Sequence, residues 1–299
     1  MKKMMLAAFA LTGCGGDKKP ETKTAQPAGP QTIKLAHVVN EKDGFHVAAL
    51  KFKELVEQRT QGKVKVELFP NAQLGDERTL IEGMQIGTVH MGVITNGPVA
   101  NFLPEIAAFE MPFLFNSPAQ AYKVLDGEVG QKVLAKLDAI NLKGLAYAER
   151  GFRNLTNSKR PVKTPADMAG LKIRVMENPV YIDTFKTLGT NPVPMAWTEA
   201  LTALQQGTID GQENPINVIY SFKLNETQKH LSMTQHSYAP ALFLMSKKVF
   251  SGFDKATQDI LVKAAQEAAA HERKWNGDQM ADMIKQLKEK GMQITEPDI

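Results

Sequence analysis

From residue 32 onward the sequence alternates two periodicities, and that alternation restricts the fold more than any other feature. Residues 32–39, 63–69 and 91–95 carry strand-like runs, and residues 45–59 and 76–87 between them repeat apolar positions at helical spacing. A helix over 118–140 and a strand over 142–148 continue the series. Strands separated by helices of this length predict an α/β protein with largely parallel sheets. After Gly151 the character changes. Pro161, Pro165, Pro179, Pro192 and Pro194 punctuate shorter segments, with strands expected around Arg174 and Val193, so a second lobe is expected to begin there.

Residues 254–290 contain no proline and place Ile260, Leu261, Ala264, Ala265, Ala268, Trp275, Met280, Met283, Ile284 and Leu287 on one helical face. Asp254 suits an N-cap. A single helix of 37 residues would run to about 55 Å, longer than one lobe is wide. Two ordinary helices broken at Gly277 account for the same pattern.

The N-terminus reads as an address. Lys2 and Lys3 precede an apolar run over 4–11 that is too short to span a bilayer and suits an export signal. It ends in Leu11-Thr12-Gly13-Cys14, which resembles a bacterial lipobox. Cys14 is the sole cysteine, so it has no disulfide partner within the chain, and lipidation there is expected after removal of residues 1–13. Residues 14–31 then form a tether rich in Gly, Pro, Lys and Thr, holding the folded part roughly 20–25 Å from a membrane surface. No later segment approaches a run of twenty apolar residues. The 36 basic and 32 acidic residues are interleaved, and the one basic cluster, Lys159, Arg160 and Lys163, lacks aromatics, which argues against nucleic acid as a partner.

Catalytic motifs are missing: the sequence holds no phosphate loop, no dinucleotide fingerprint, no H-E-x-x-H, no C-x-x-C and no G-x-S-x-G. Its six histidines have no metal-like spacing, so neither a metal nor a cofactor is expected. Binding chemistry has more support. In "GLKIRVMENP", strand alternation turns Leu171, Ile173 and Val175 to one face and Arg174 to the other, where its planar fork of donors fits either water or a carboxylate. Arg153 in "GFRNLTNSKRP" sits comparably. In "NPVPMAWTEALTALQQGTIDGQENP", Thr198 is expected as an N-cap, Gly207 as a helix stop, Trp197 just ahead of the helix and Asn214 in a turn.

Those stretches, with "NAQLGDERTLIEGMQIGTV" and "LAHVVNEKDGFHVAALKFKELVEQRTQGKV", resemble the substrate-binding proteins of tripartite ATP-independent periplasmic (TRAP) transporters over residues 32 to about 296. The resemblance implies a two-lobed α/β clamshell with crossing strands and one long helix spanning both lobes, and thereby favours the unbroken helix. It implies lobe I over 32–150 and about 239–279, and lobe II over 151–238 and about 280–299. It implies a monomer that binds a small organic acid, a C4-dicarboxylate or a sugar acid such as a uronate, and passes it to membrane subunits driven by an ion gradient. Matched by position, Arg174 carries the main salt bridge to the carboxylate and Arg153 a second contact, Asn214 belongs to the site, and Trp197 covers the ligand. His236, Thr95, Asn96, His37 and Glu41 fall where relatives line the cleft. Two rival readings are a lipid-anchored hydrolase of acidic substrates and an acid-sensing receptor subunit.

Overall fold

The computed structural model describes residues 31–298. The signal segment 1–13, the lipidation site Cys14 and the tether up to residue 30 lie outside the described residues. Gln31, expected in the tether, is the first residue of the sheet.

Among the described residues nine strands form one mixed sheet: β1 (Gln31–Ala36), β2 (Val64–Phe69), β3 (Met91–Thr95), β4 (Leu142–Asn157), β5 (Lys172–Val175), β6 (Asn191–Pro194), β7 (Gly211–Asn214), β8 (His230–Ser246) and β9 (Gln293–Thr295). Their order is β2-β1-β3-β8-β4-β7-β5-β6, with β9 beside β8. The two ends are parallel, β2-β1-β3 at one and β7-β5-β6 at the other, as the strand–helix alternation requires. The antiparallel pair β4–β8 joins them, and its 16 and 17 residues run through both halves.

The strand expected over 142–148 therefore continues past Gly151. It does so because bulges absorb the irregular residues, with register shifts between Gly144 and Ala146, Glu149 and Gly151, and Arg153 and Leu155. Gly151 takes φ +105°, a backbone that side chains rarely tolerate. The helix expected over 118–140 is instead two helices, Pro118–Leu125 and Glu128–Lys136, followed by a short 3-10 turn, Leu137–Ile140. Gly127 breaks it by taking an extended N-cap conformation. Thr198 is not an N-cap: Ala196 holds that position and Trp197 is the first helical residue.

The long helix is unbroken over Lys255–Glu289, 35 residues, capped by the Asp254 carboxylate, which accepts from the Thr257 N–H at 2.8 Å. Gly277 faces open space and does not interrupt it. The helix packs against the helix Gly44–Arg59, against β4 and against the helix Ile216–Ser221, so it braces both halves of the sheet. A separate apolar core gathers Leu155, Ile173, Val175, Tyr181 and Phe185 under the second half.

Glu110 ties the two halves together from the end of the 3-10 helix Pro104–Glu110. Its carboxylate accepts from Asn178 Nδ2 at 3.0 Å and Tyr181 Oη at 3.3 Å. Burial pushes its pKa up to about 8, against the opposing pull of Asn96, Arg153 and Tyr181. Folded protein thus holds a proton that the unfolded chain has already released, so this contribution to stability is complete below the ordinary glutamate value and is lost as pH rises to about 8. Wild-type protein should lose thermal stability between pH 5 and pH 9 more steeply than Glu110→Gln, with a difference in slope of up to about 1.4 kcal/mol per pH unit inside that window. Parallel slopes in a pH series of melting curves would show that Glu110 is not protonated in the fold.

Candidate functional site

Where the two halves meet, one cavity is lined by Val38, Glu77, Thr95 and Arg150 from the first half and by Arg153, Arg174, Met176, Trp197 and Asn214 from the second. Its volume is about 20 Å³, room for about one water molecule. It adjoins a hollow of about 30 Å³ that shares Glu77, Arg174, Met176 and Trp197 and reaches outward to Asp76, Arg78, Asn101 and Glu177.

Three arginines converge here, each held differently. Arg150 Nη1 donates to Asp43 at 2.7 Å, and its guanidinium lies 3.9 Å from the Phe45 ring centre. Arg153, 1% exposed, donates from Nε and Nη2 to the Glu213 carboxylate, with Nη2 at 2.8 Å from Oε1, and from Nη2 to the Glu213 carbonyl at 2.6 Å. Its Nη1 is buried and has no partner among the described residues. Arg174 donates from Nε and Nη2 to the Met195 carbonyl at 3.0 and 2.7 Å, and its guanidinium lies 5.5 Å from the Trp197 ring centre. One side of the Arg174 fork is therefore occupied, and the end of the guanidinium, Nη1 with the second Nη2 proton, is the part left for an anion.

Spacing alone would put Arg150 and Arg153 on opposite faces of β4. The bulge between Glu149 and Gly151 inserts an extra residue against β8 and brings both to the one cavity. Arg174 reaches it from β5, whose Ile173 and Val175 anchor the other face in the core as the alternation predicts.

Electrostatics separate these groups. Burial works against the charge on Arg153, but the Glu213 carboxylate outweighs it and raises the arginine's pKa. Glu213, buried as well, is held below the usual carboxylate range by Arg153 and His236. Arg174 has no such ion-pair partner among the described residues: burial lowers its pKa to about 10, which leaves it charged at neutral pH. Burial raises the pKa of Glu77, against hydrogen bonds from Thr95, whose N–H donates to Glu77 Oε1 at 2.6 Å.

Of the residues expected at the site, Arg174, Arg153, Trp197, Asn214 and Thr95 come together at this cavity, and four do not line it. His236 stands behind Arg153, with Nε2 3.2 Å from Glu213 Oε2 and Nδ1 2.8 Å from Thr234 Oγ1. Asn96 donates to the Ile106 carbonyl and belongs to the Glu110 contact. His37, just past the end of β1, pairs with His46 at 3.1 Å, and burial lowers its pKa to about 3, so it is a neutral packing residue. Glu41 is exposed in the turn that precedes the helix Gly44–Arg59. Trp197 is 8% exposed, edge-on to Phe222, and braces Arg174; its indole N–H is buried without a partner among the described residues. Sequence reasoning missed Glu77, Arg150, Met176 and Val38. The stretch "LGDER" carried Glu77 in plain view, but only the helix Glu77–Ile86, entered at the cavity, shows why it matters.

A family model described as bacterial extracellular solute-binding protein, family 7, matches residues 35–299. The 2,3-diketo-L-gulonate-binding periplasmic protein of Escherichia coli is 42% identical over 264 residues, 88% of this chain and 80% of that protein. A TRAP periplasmic solute binding protein from Polaromonas sp. JS666, solved bound to D-erythronate, superposes with a TM-score of 0.88 at 45% identity, covering 89% of this chain and 88% of that one. The sugar acid binding protein of Advenella mimigardefordensis, solved with galactonate, gives 0.88 at 38% identity over 90% and 87% of the two chains. With sequence and backbone matched over nearly all of the described residues, the chain belongs to family 7 of the bacterial extracellular solute-binding proteins, the two-lobed α/β receptors of TRAP transporters, which bind solutes and are not enzymes.

Proposed function

We propose that this receptor binds a small organic acid at the cavity between its halves, with the free end of the Arg174 guanidinium taking the carboxylate and the spare Nη1 of Arg153 adding a second donor. The observation that carries this reading is the pair of unused guanidinium donors on one cavity, one of them fully buried. A buried donor left unsatisfied costs about 1–3 kcal/mol, and an acid's oxygens remove that cost. The Trp197 N–H and the Asn214 side chain offer further neutral contacts to the same space. Relatives that bind D-erythronate, galactonate and 2,3-diketo-L-gulonate support a sugar acid or a related organic acid as the ligand.

A cavity of about 20 Å³ does not admit such an acid, so binding requires the halves to part and close again. The lobes in this reading are residues 32–150 with about 239–279, and 151–238 with about 280–299. The bulged stretches of β4 near Gly151 serve as the hinge. Two contacts of the long helix agree with that division: Glu267 pairs with Arg59 at 2.6 Å, and Gln286 accepts from Tyr220 at 2.7 Å. The protein then works as a monomer that hands its acid to the TRAP membrane subunits for ion-gradient-driven uptake. A lipid on Cys14 holds it outside the cytoplasm at a membrane that none of its described helices is long and apolar enough to cross.

Arg174→Lys keeps the charge and discards the planar fork. Calorimetric titration should give an acid affinity weaker by about 1.5–3 kcal/mol, with a melting temperature close to wild type. Equal affinities would remove Arg174 from the site. For the anchor, Cys14→Ser should move the protein from the detergent-rich to the aqueous phase on Triton X-114 partitioning while acid binding is unchanged. Retention in the detergent phase would refute lipidation.

A further inference from the structure

The charges around the cavity do not cancel in pairs at one point, and that point selects the ligand. Arg150 is matched by Asp43, and Arg153 by Glu213. Among the described residues Arg174 has no carboxylate within salt-bridge distance, and neither does Glu77 have a cation. The cavity therefore offers a ligand the Arg174 guanidinium and, on the other half of the molecule, the Glu77 carboxyl group, neither of them in an ion pair among the described residues.

We propose that Glu77 sets specificity, restricting the ligand to acids with a single carboxylate and hydroxyl groups along the chain, and turning away diacids. This inference rests on the reading that Arg174 takes the carboxylate. Three features of Glu77 carry it. Its Oε1 accepts from the Thr95 N–H at 2.6 Å, which holds the carboxyl group at the cavity it lines. Among the described residues its hydrogen bonds come from Thr95 alone, which leaves acceptor capacity for a ligand hydroxyl. Of the two guanidinium groups that favour its charge, Arg150 is held by Asp43 at 2.7 Å and by the face of Phe45 at 3.9 Å from the ring centre, and Arg174 is the one that takes the ligand's carboxylate. A polyhydroxy monocarboxylate thus satisfies both groups. In a diacid bound through Arg174, the second carboxylate would meet Glu77 in a space largely closed to water, and like charges there are a strong device for rejecting the wrong ligand.

The test compares acids that differ only at the far end. Galactonate and galactarate form one such pair, D-erythronate and meso-tartrate another; in each the second member replaces a terminal CH2OH with a carboxylate. Calorimetry on wild type should give at least a tenfold preference for the monoacid in whichever pair binds tighter. Glu77→Gln, which keeps the size and an acceptor oxygen, should shrink that preference at least fivefold, whereas Glu77→Asp, which keeps the charge, should retain a preference for the monoacid. Equal affinity of wild type for both members overturns the inference without any need of a variant, so a poorly folding Glu77→Gln does not protect it. An unchanged preference in Glu77→Gln also overturns it. Arg174-dependent binding of succinate with no binding of either monoacid overturns it while leaving the acid-binding reading intact; no Arg174-dependent binding of any acid overturns both.

Discussion

The buried ion pair between Arg153 and Glu213 organises the site. It joins β4 to β7, and through His236 it reaches β8, so three strands of the second half are fixed at one point by charge-assisted hydrogen bonds. A buried pair of this kind is a poor source of net stability, because desolvating both charges offsets their attraction. Removing one partner, however, strands the other and costs about 3–5 kcal/mol. The pair is thus a constraint: each member holds the other in place and leaves Arg153 Nη1 without a partner at the cavity. Tyr181, whose ring centre is 5.2 Å from the guanidinium and whose hydroxyl reaches Glu110, extends the constraint to the contact between the halves.

Arg174 is built on the opposite principle. Its guanidinium is steered by a backbone carbonyl and an indole face, which orient it without neutralising it. Burial lowers its pKa only to about 10, so the charge persists while its compensation is left to whatever enters. An arginine already bound to a carboxylate would gain little from an acid; one held by neutral groups gains a full charge-assisted interaction. The difference between the two arginines lies in their partners, not in their residue type or burial.

Much of this was legible from the sequence. The parallel ends of the sheet follow from the alternation of strand and helix patterns, whereas the face running from Ile260 to Leu287 fitted one helix or two, and the family resemblance favoured the single helix that is found. The orientation of Arg174 follows from the parity of Leu171, Ile173 and Val175. Other features were hidden by backbone irregularities. The bulges of β4 defeat the parity rule that would separate Arg150 from Arg153, and the extended Gly127 breaks a helix that periodicity reads as continuous. Partner choice was the least visible. Nothing in "GFRNL" says that Arg153 is met by Glu213, sixty residues away, or that His236 stands behind that pair and not in the cavity. His37 and Glu41 sit in a loop near the junction, yet one packs against His46 and the other faces solvent.

In the proposed reading, a carboxylate charge met by Arg174, which has no carboxylate partner among the described residues, makes this protein's ligand an acid. The most direct measurement compares the tightest-binding acid with its primary amide, which keeps the shape and removes the charge, by calorimetric titration of wild-type protein. An interaction with a charged group worth about 1.5–3 kcal/mol predicts that the amide binds at least about tenfold more weakly. Equal affinity for the acid and the amide would contradict the account, because the cavity would then be reading shape and hydroxyl groups alone.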